Sequence, residues 1–223
     1  MLHHFFALLT AMTAGGYYQD VKPVLLELLD PIGLRILDAG CASGANGELL
    51  KRAGAREVWG IELDPGAADE ARRRLDGVVA GDLSSVGLDA LGGQPFDAIL
   101  AIDVLEHLVD PAAAVAKLVG MLRAGGLLVA CIPNVAHVWV MANLVAKRWP
   151  QKTSGIFDRT HVRFFAKRDM IALLRDAGLE IIEVRPYFTR YRSLRTLSLV
   201  LSLYVFRDYW ARQFLLVARK PVR

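Results

Sequence analysis

Short apolar runs alternate with helical patterns along most of the chain, and this rhythm limits the fold more than any other feature. RILDAG (35–40), VWGIEL (58–63), GVVAGD (77–82), FDAILAID (96–103) and LLVACIP (127–133) read as strands. Helical stretches separate them, which is the signature of an α/β protein with a parallel sheet. FDAILAID is apolar between its two acids and reads as a central strand covered on both faces. PGAADEARRRL (65–75) opens on a proline, with acids early and arginines late, as a helix macrodipole favours. After residue 133 the rhythm changes. A helix is expected over about 135–148, another over RDMIALLRDAGL ending at Gly178, and two more strands in LEIIEVRPY and RQFLLVARK.

The first strand runs into DAGCASGANG, a glycine-bearing turn that lets backbone approach a ligand closely. Asp38 precedes Gly40, Gly44 and Gly47. Glu62 closes the second strand, where an acid accepts ribose hydroxyls, and Asp82 follows the third. A dinucleotide fold is the main rival. Its loop cradles a pyrophosphate at a helix N-terminus, which an adjacent Asp38 would repel. The loop also departs from G-x-G-x-x-G, because Ala42 stands at the second glycine. Three acids at three successive strand ends favour a nucleoside that carries positive charge.

With these residues the chain resembles the class I S-adenosylmethionine-dependent methyltransferases over about Tyr17 to Lys220. LDAGCASG, GIELDP, AGDL and FDAILAIDVLEHLVDP are similar to that family's successive motifs. The resemblance implies a Rossmann-like, doubly wound seven-stranded α/β sheet in the order 3-2-1-4-5-7-6, with the last strand antiparallel. It implies one domain over residues 1–223, with 1–30 covering the cofactor and 134–223 supplying the acceptor side and C-terminal elements. The cofactor implied is S-adenosyl-L-methionine, held by Tyr18, Asp38, Gly40, Ala42, Gly44, Glu62, Leu63, Asp82, Leu83 and Ile102.

An oxygen or nitrogen acceptor must lose a proton on methylation, so a base is needed, and histidine suits that task near neutral pH. His161, in GIFDRTHVRFF (155–165), and then His137, in IPNVAH, are the candidates. A histidine hydrogen-bonded for structure carries equal weight at each position. THVRFF is similar to a segment of small-molecule O-methyltransferases related to the ubiquinone-pathway enzymes. Arg159 and Arg163 are candidates for binding an acidic group on the acceptor, against pairing with Asp158 or lying in solvent. Glu106 and His107 are expected to fix the turn after the fourth strand. No His/Cys/Asp spacing suggests a catalytic metal, and Cys41 and Cys131 read as reduced, inert thiols.

Charge is uneven. Residues 1–150 hold 12 Lys/Arg and 17 Asp/Glu, a sum of −5, and residues 151–223 hold 15 and 6, a sum of +9. A basic final third fits an acidic acceptor, an anionic surface or a solvated face. Arg185, Arg190, Arg192 and Arg195 precede the apolar LSLVLSLYVF. Segment 185–206 therefore reads as a cover helix, a contact in a homodimer, or a peripheral contact with an anionic membrane. MLHHFFALLTAM lacks a basic start and a cleavage site, so a cytoplasmic protein is expected, at most peripheral to the inner membrane face. The leading function is methylation of a small-molecule, sugar or lipid-linked acceptor. The alternative is an accessory protein of methionine biosynthesis that binds the cofactor without transferring methyl. Nucleic acid is a weaker partner, since strand four ends in AIDV and not in the tetrapeptide of amino-methylating enzymes.

Overall fold

The computed structural model describes residues 21–188 and 204–222. Tyr18 and most of segment 185–206 lie outside them. The sheet has seven strands in the order β3-β2-β1-β4-β5-β7-β6, as the resemblance implies. The chain divides into two compact units, 1–93 and 94–223.

In the first unit, β1 (Arg35–Ala39), β2 (Glu57–Glu62) and β3 (Gly77–Ala80) run parallel. All five residues of β1 are buried, as a central parallel strand requires. The helix Ala45–Arg52 follows the glycine turn. Gly44 precedes it with φ +81°, a left-handed conformation that disfavours a side chain. Gly47 is needed for space: a Cβ there would lie 2.5 Å from a Leu75 methyl and 3.0 Å from Val58. We expect Gly47→Ala to lower stability by about 1–3 kcal/mol through overpacking, read as a lower denaturation midpoint. The helix Pro65–Ala71 begins as its sequence predicts, with Pro65 at N1 and the Asp64 carboxylate accepting from the Ala67 amide at 2.7 Å.

In the second unit, β4 (Phe96–Ile102) and β5 (Leu122–Pro133) are parallel. The last strand, β7 (Gln213–Arg219), is antiparallel to both β5 and β6 (Glu180–Tyr187). β5 starts at Leu122, five residues before the expected position. Phe96 pairs with Leu122 and Ala98 with Leu127, so residues 123–126 form an excursion inside the strand. Arg123 Nε donates to Asp97 Oδ1 at 2.5 Å across it. At Gly126 a Cβ would stand 3.0 Å from the Arg123 carbonyl oxygen, so a bare backbone is favoured there. The preceding helix, Pro111–Met121, therefore ends earlier than expected.

The helix Val138–Val145 is shorter than the 135–148 read from sequence. The buried Asn134 uses its side-chain oxygen to accept from the Ala136 amide, making a turn where helix was expected. At the other end Lys147 adopts φ +56° and breaks the helix. The helix Lys167–Asp176 ends as expected, with Gly178 at φ +83°. Among the described residues, no helix is long and apolar enough to cross a membrane.

Candidate functional site

The glycine turn and the end of β2 are tied together by Glu62. Its Oε2 accepts from the Ala42 amide at 2.8 Å, and its Oε1 accepts from the Asp64 amide at 2.9 Å. A carboxylate offers about four acceptor positions, so each oxygen keeps one for another donor. The carboxylate is thereby oriented by backbone, with capacity left for the two hydroxyls of a ribose. Ala42 adopts φ +47°, in the region that the usual glycine occupies without strain. The peptide of Ala42 is held there by its bond to Glu62.

Asp38 lies beneath the same turn and is only 1% exposed. The Gly47 amide donates to its carboxylate, while its Oδ2 is buried without a hydrogen-bond partner. Burial, and then the negative charge of Glu62, push its pKa up to about 7. Burial also pushes up the neighbouring Cys41 thiol, so Cys41 is no nucleophile. Leu63 is 69% exposed beside Glu62, whereas Leu83 and Ile102 are buried at 6% and 7%. Asp82 is exposed, and its Oδ1 accepts from the Ser84 amide at 2.7 Å.

In the second unit, GIFDRTHVRFF folds back on the turn after β4. The Val162 and Arg163 amides both donate to the Glu106 carbonyl at 3.0 Å. Ile156, Phe157 and Phe165 are buried, but Phe164 is 46% exposed, so only two of the three phenylalanines pack inward. Asp158 is buried and accepts from the Thr160 amide and hydroxyl at 2.9 and 2.7 Å. These bonds, with the nearby His161 and His107, lower its pKa despite burial. His161 Nδ1 lies 3.3 Å from the Ile156 carbonyl oxygen, and His107 Nδ1 lies 3.2 Å from that of Thr160. A carbonyl only accepts, so Nδ1 carries the proton in both rings, and each neutral ring presents Nε2 as an acceptor. Burial, and then His107, hold the His161 pKa below its ordinary value. The two rings meet edge to face at 4.8 Å.

Residues 14–184 match the methyltransferase domain family. The ubiquinone biosynthesis O-methyltransferase of Xanthomonas axonopodis pv. citri is 32% identical over 177 residues, covering 74% of this chain and 72% of that protein. The chain belongs to the class I S-adenosylmethionine-dependent methyltransferases. Two solved structures share the fold. An S-adenosylmethionine-dependent methyltransferase from Mesorhizobium loti aligns at TM-score 0.63 and 20% identity, over 88% of this chain and 96% of that one. The magnesium protoporphyrin IX methyltransferase of Synechocystis PCC 6803, with bound SAH, aligns at 0.62 and 17%, over 88% and 78%. The accessory-protein alternative finds no support in these relatives.

The methyltransferase has residues that fit its cofactor. Glu62 would hold a ribose with its remaining acceptor positions, the exposed Leu63 would meet the base, and Asp38, when ionised, would add negative field under the turn. Its two histidine candidates sit in different surroundings. His137 caps the helix Val138–Val145, with Nδ1 accepting from the Trp139 amide at 3.1 Å and a further hydrogen bond to the Trp210 backbone. Burial, and then Arg212, lower its pKa to about 4. Both ring nitrogens are occupied by structural bonds, so His137 reads as a cap. Folding keeps this ring neutral while the unfolded chain protonates near pH 6.5. Its contribution to stability is therefore complete above pH 6.5 and is lost as pH falls from there towards 4. His137→Asn, which keeps a capping oxygen, should remove that acid-side slope in denaturation curves at pH 4–7.

Arg163 Nε and Nη2 both donate to the Val109 carbonyl, at 3.0 and 2.5 Å, and Arg159 is exposed. Sequence reasoning gave no role to Asn134, Asp103 or Gln213. Asn134 Nδ2 donates at 2.9 Å to the carbonyls of Asp208 and Ala211, joining the end of β5 to the turn before β7. Asp103 follows β4 with φ +55° and accepts from the Gln213 side chain. An acid held in a left-handed conformation has no sequence signature, because the signal is the partner 110 residues away.

Proposed function

We propose that the enzyme methylates a hydroxyl group of a small molecule, with His161 as the group that takes the proton. S-adenosylmethionine supplies, when bound, a methyl group on a positively charged sulfur. The chain's own contribution is to hold the two reactants at close approach and to accept the hydroxyl proton. The observation that carries this reading is the ring of His161. Its Nδ1 proton is committed to the Ile156 carbonyl, and burial keeps the ring neutral, so Nε2 is ready to accept. Arg159, exposed beside it in sequence, supplies positive charge for an acidic acceptor, while Arg163 braces the turn at Val109. The ubiquinone biosynthesis relatives favour oxygen over nitrogen as the acceptor atom.

The test is transfer of labelled methyl from S-adenosylmethionine to a panel of phenols, sugars and lipid-linked alcohols. Turnover is expected with at least one hydroxyl acceptor. His161→Ala should reduce it by about 10²–10⁴ while leaving S-adenosylhomocysteine affinity unchanged. Undiminished turnover in His161→Ala would remove the base assignment.

A further inference from the structure

The glycine turn of the first unit carries an alanine where its geometry suits glycine. The Gly44 amide donates to the Cys41 carbonyl at 2.8 Å, which closes a β-turn with Ala42 and Ser43 at its centre. Ala42 has φ +47°, and a positive φ at the first central position of a turn favours glycine. A left-handed alanine persists only where its surroundings over-determine it.

Glu62 holds one side of that turn, through the Ala42 amide. The other side is held by a residue that no sequence pattern marks. Three consecutive arginines follow the helix Pro65–Ala71. Arg72 pairs with Asp69 of its own helix, and Arg73 is exposed. Arg74 reaches across 31 positions to the turn, where its Nη1 donates to both the carbonyl and the hydroxyl oxygen of Ser43, at 2.9 Å each. Its Nε lies 3.6 Å from Glu48 Oε2, on the helix that follows the turn. Ser43 is fully buried, and a charged donor makes stronger bonds there than a neutral one. The same stretch also backs the turn by packing. A Cβ on Gly44 would stand 3.1 Å from the Ala71 Cα and 3.2 Å from Leu75 Cγ. The two peptide groups that flank Ala42–Ser43 are therefore gripped separately, one by Glu62 and one by Arg74.

We propose that Arg74 is a positioning residue for S-adenosylmethionine, locking the Ser43–Gly44 peptide so that the turn keeps its binding shape despite alanine at position 42. The inference is independent of His161 and rests on the turn as the cofactor's cradle. Without the Arg74 bonds, Ala42 relaxes towards negative φ in part of the population. Apparent affinity then falls by the fraction of molecules that keep the shape.

The test is S-adenosylhomocysteine affinity of the full chain by calorimetry, with urea denaturation to check that each variant folds. Arg74→Ala is expected to weaken binding at least about tenfold. Arg74→Lys keeps the charge and a donor for the Ser43 carbonyl, so it should recover part of that loss. Ala42→Gly decides the mechanism. Glycine takes the left-handed conformation without strain, so Arg74→Ala should cost at least about threefold less affinity in an Ala42→Gly background. Affinity of Arg74→Ala within about threefold of wild type, or an equal loss in both backgrounds, overturns the proposal. If Arg74→Ala fails to fold, Arg74→Lys in the two backgrounds makes the same comparison. Glu62→Ala separates the two ways of failing. If it weakens binding while Arg74→Ala does not, only the role of Arg74 falls. If neither does, the turn is not the cradle and the proposal falls with it.

Discussion

Glu62→Ala is expected to weaken S-adenosylhomocysteine binding by about 10²–10⁴, read by calorimetry. The wild-type carboxylate is held by the Ala42 and Asp64 amides and has one acceptor position left on each oxygen. Two hydrogen bonds to a charged acceptor contribute about 1.5–3 kcal/mol each, and their loss gives that range. The substitution also releases the Ala42 peptide, which the Glu62 bond holds at φ +47°. Glu62→Gln separates the two effects. Its amide has a single oxygen, so it satisfies either Ala42 or Asp64 and turns N–H towards the other donor. Its binding defect should approach that of alanine. A defect below about threefold in Glu62→Ala would show that ribose recognition lies elsewhere.

Asp38→Asn is expected to stabilise the protein at neutral and alkaline pH. Asp38 is buried, and its pKa rises from 3.8 to about 7 on folding. Between those values the folded chain holds a proton that the unfolded chain has released. Stability therefore falls as pH rises from about 4 to 7, and the penalty is constant above 7. Its size is on the order of 4 kcal/mol, from the pKa displacement alone. Asparagine keeps an oxygen for the Gly47 amide and carries no charge. The difference between variant and wild type in urea denaturation should grow through pH 4–7 and then level off. A difference independent of pH would contradict the assignment. The same charge supplies negative field under the turn, so the variant should lose more affinity for cationic S-adenosylmethionine than for neutral S-adenosylhomocysteine. A destabilising acid retained at this position is then a functional feature.

The sheet was legible because its strands are short apolar runs bounded by acids and glycines, and these patterns act locally. β1, β2 and β4 fall within a residue or two of the expected positions. Gly40, Glu62 and Asp82 were legible as strand-end residues for the same reason. Boundaries failed where a side chain competes with the backbone. Asn134 makes a turn where the pattern read helix, and Arg123 bridges to Asp97 where the pattern read a helix end. The segment 155–165 was legible only in part. GIFDRTHVRFF stood out by composition, yet the rotation of each ring is set by a carbonyl that the sequence does not mark. His137 and His161 look alike in sequence and both commit Nδ1, but His137 accepts there from an amide while His161 donates to a carbonyl. Cys41 was legible as an inert thiol, and burial beside two acids is the physical reason.

The most direct test of the cofactor assignment is a crystal structure of the wild-type enzyme with S-adenosylhomocysteine. It should show both ribose hydroxyls donating to the Glu62 carboxylate while the Ala42 and Asp64 amides keep their bonds to it. A ribose bound elsewhere, with Glu62 engaged only by those two amides, would contradict the account.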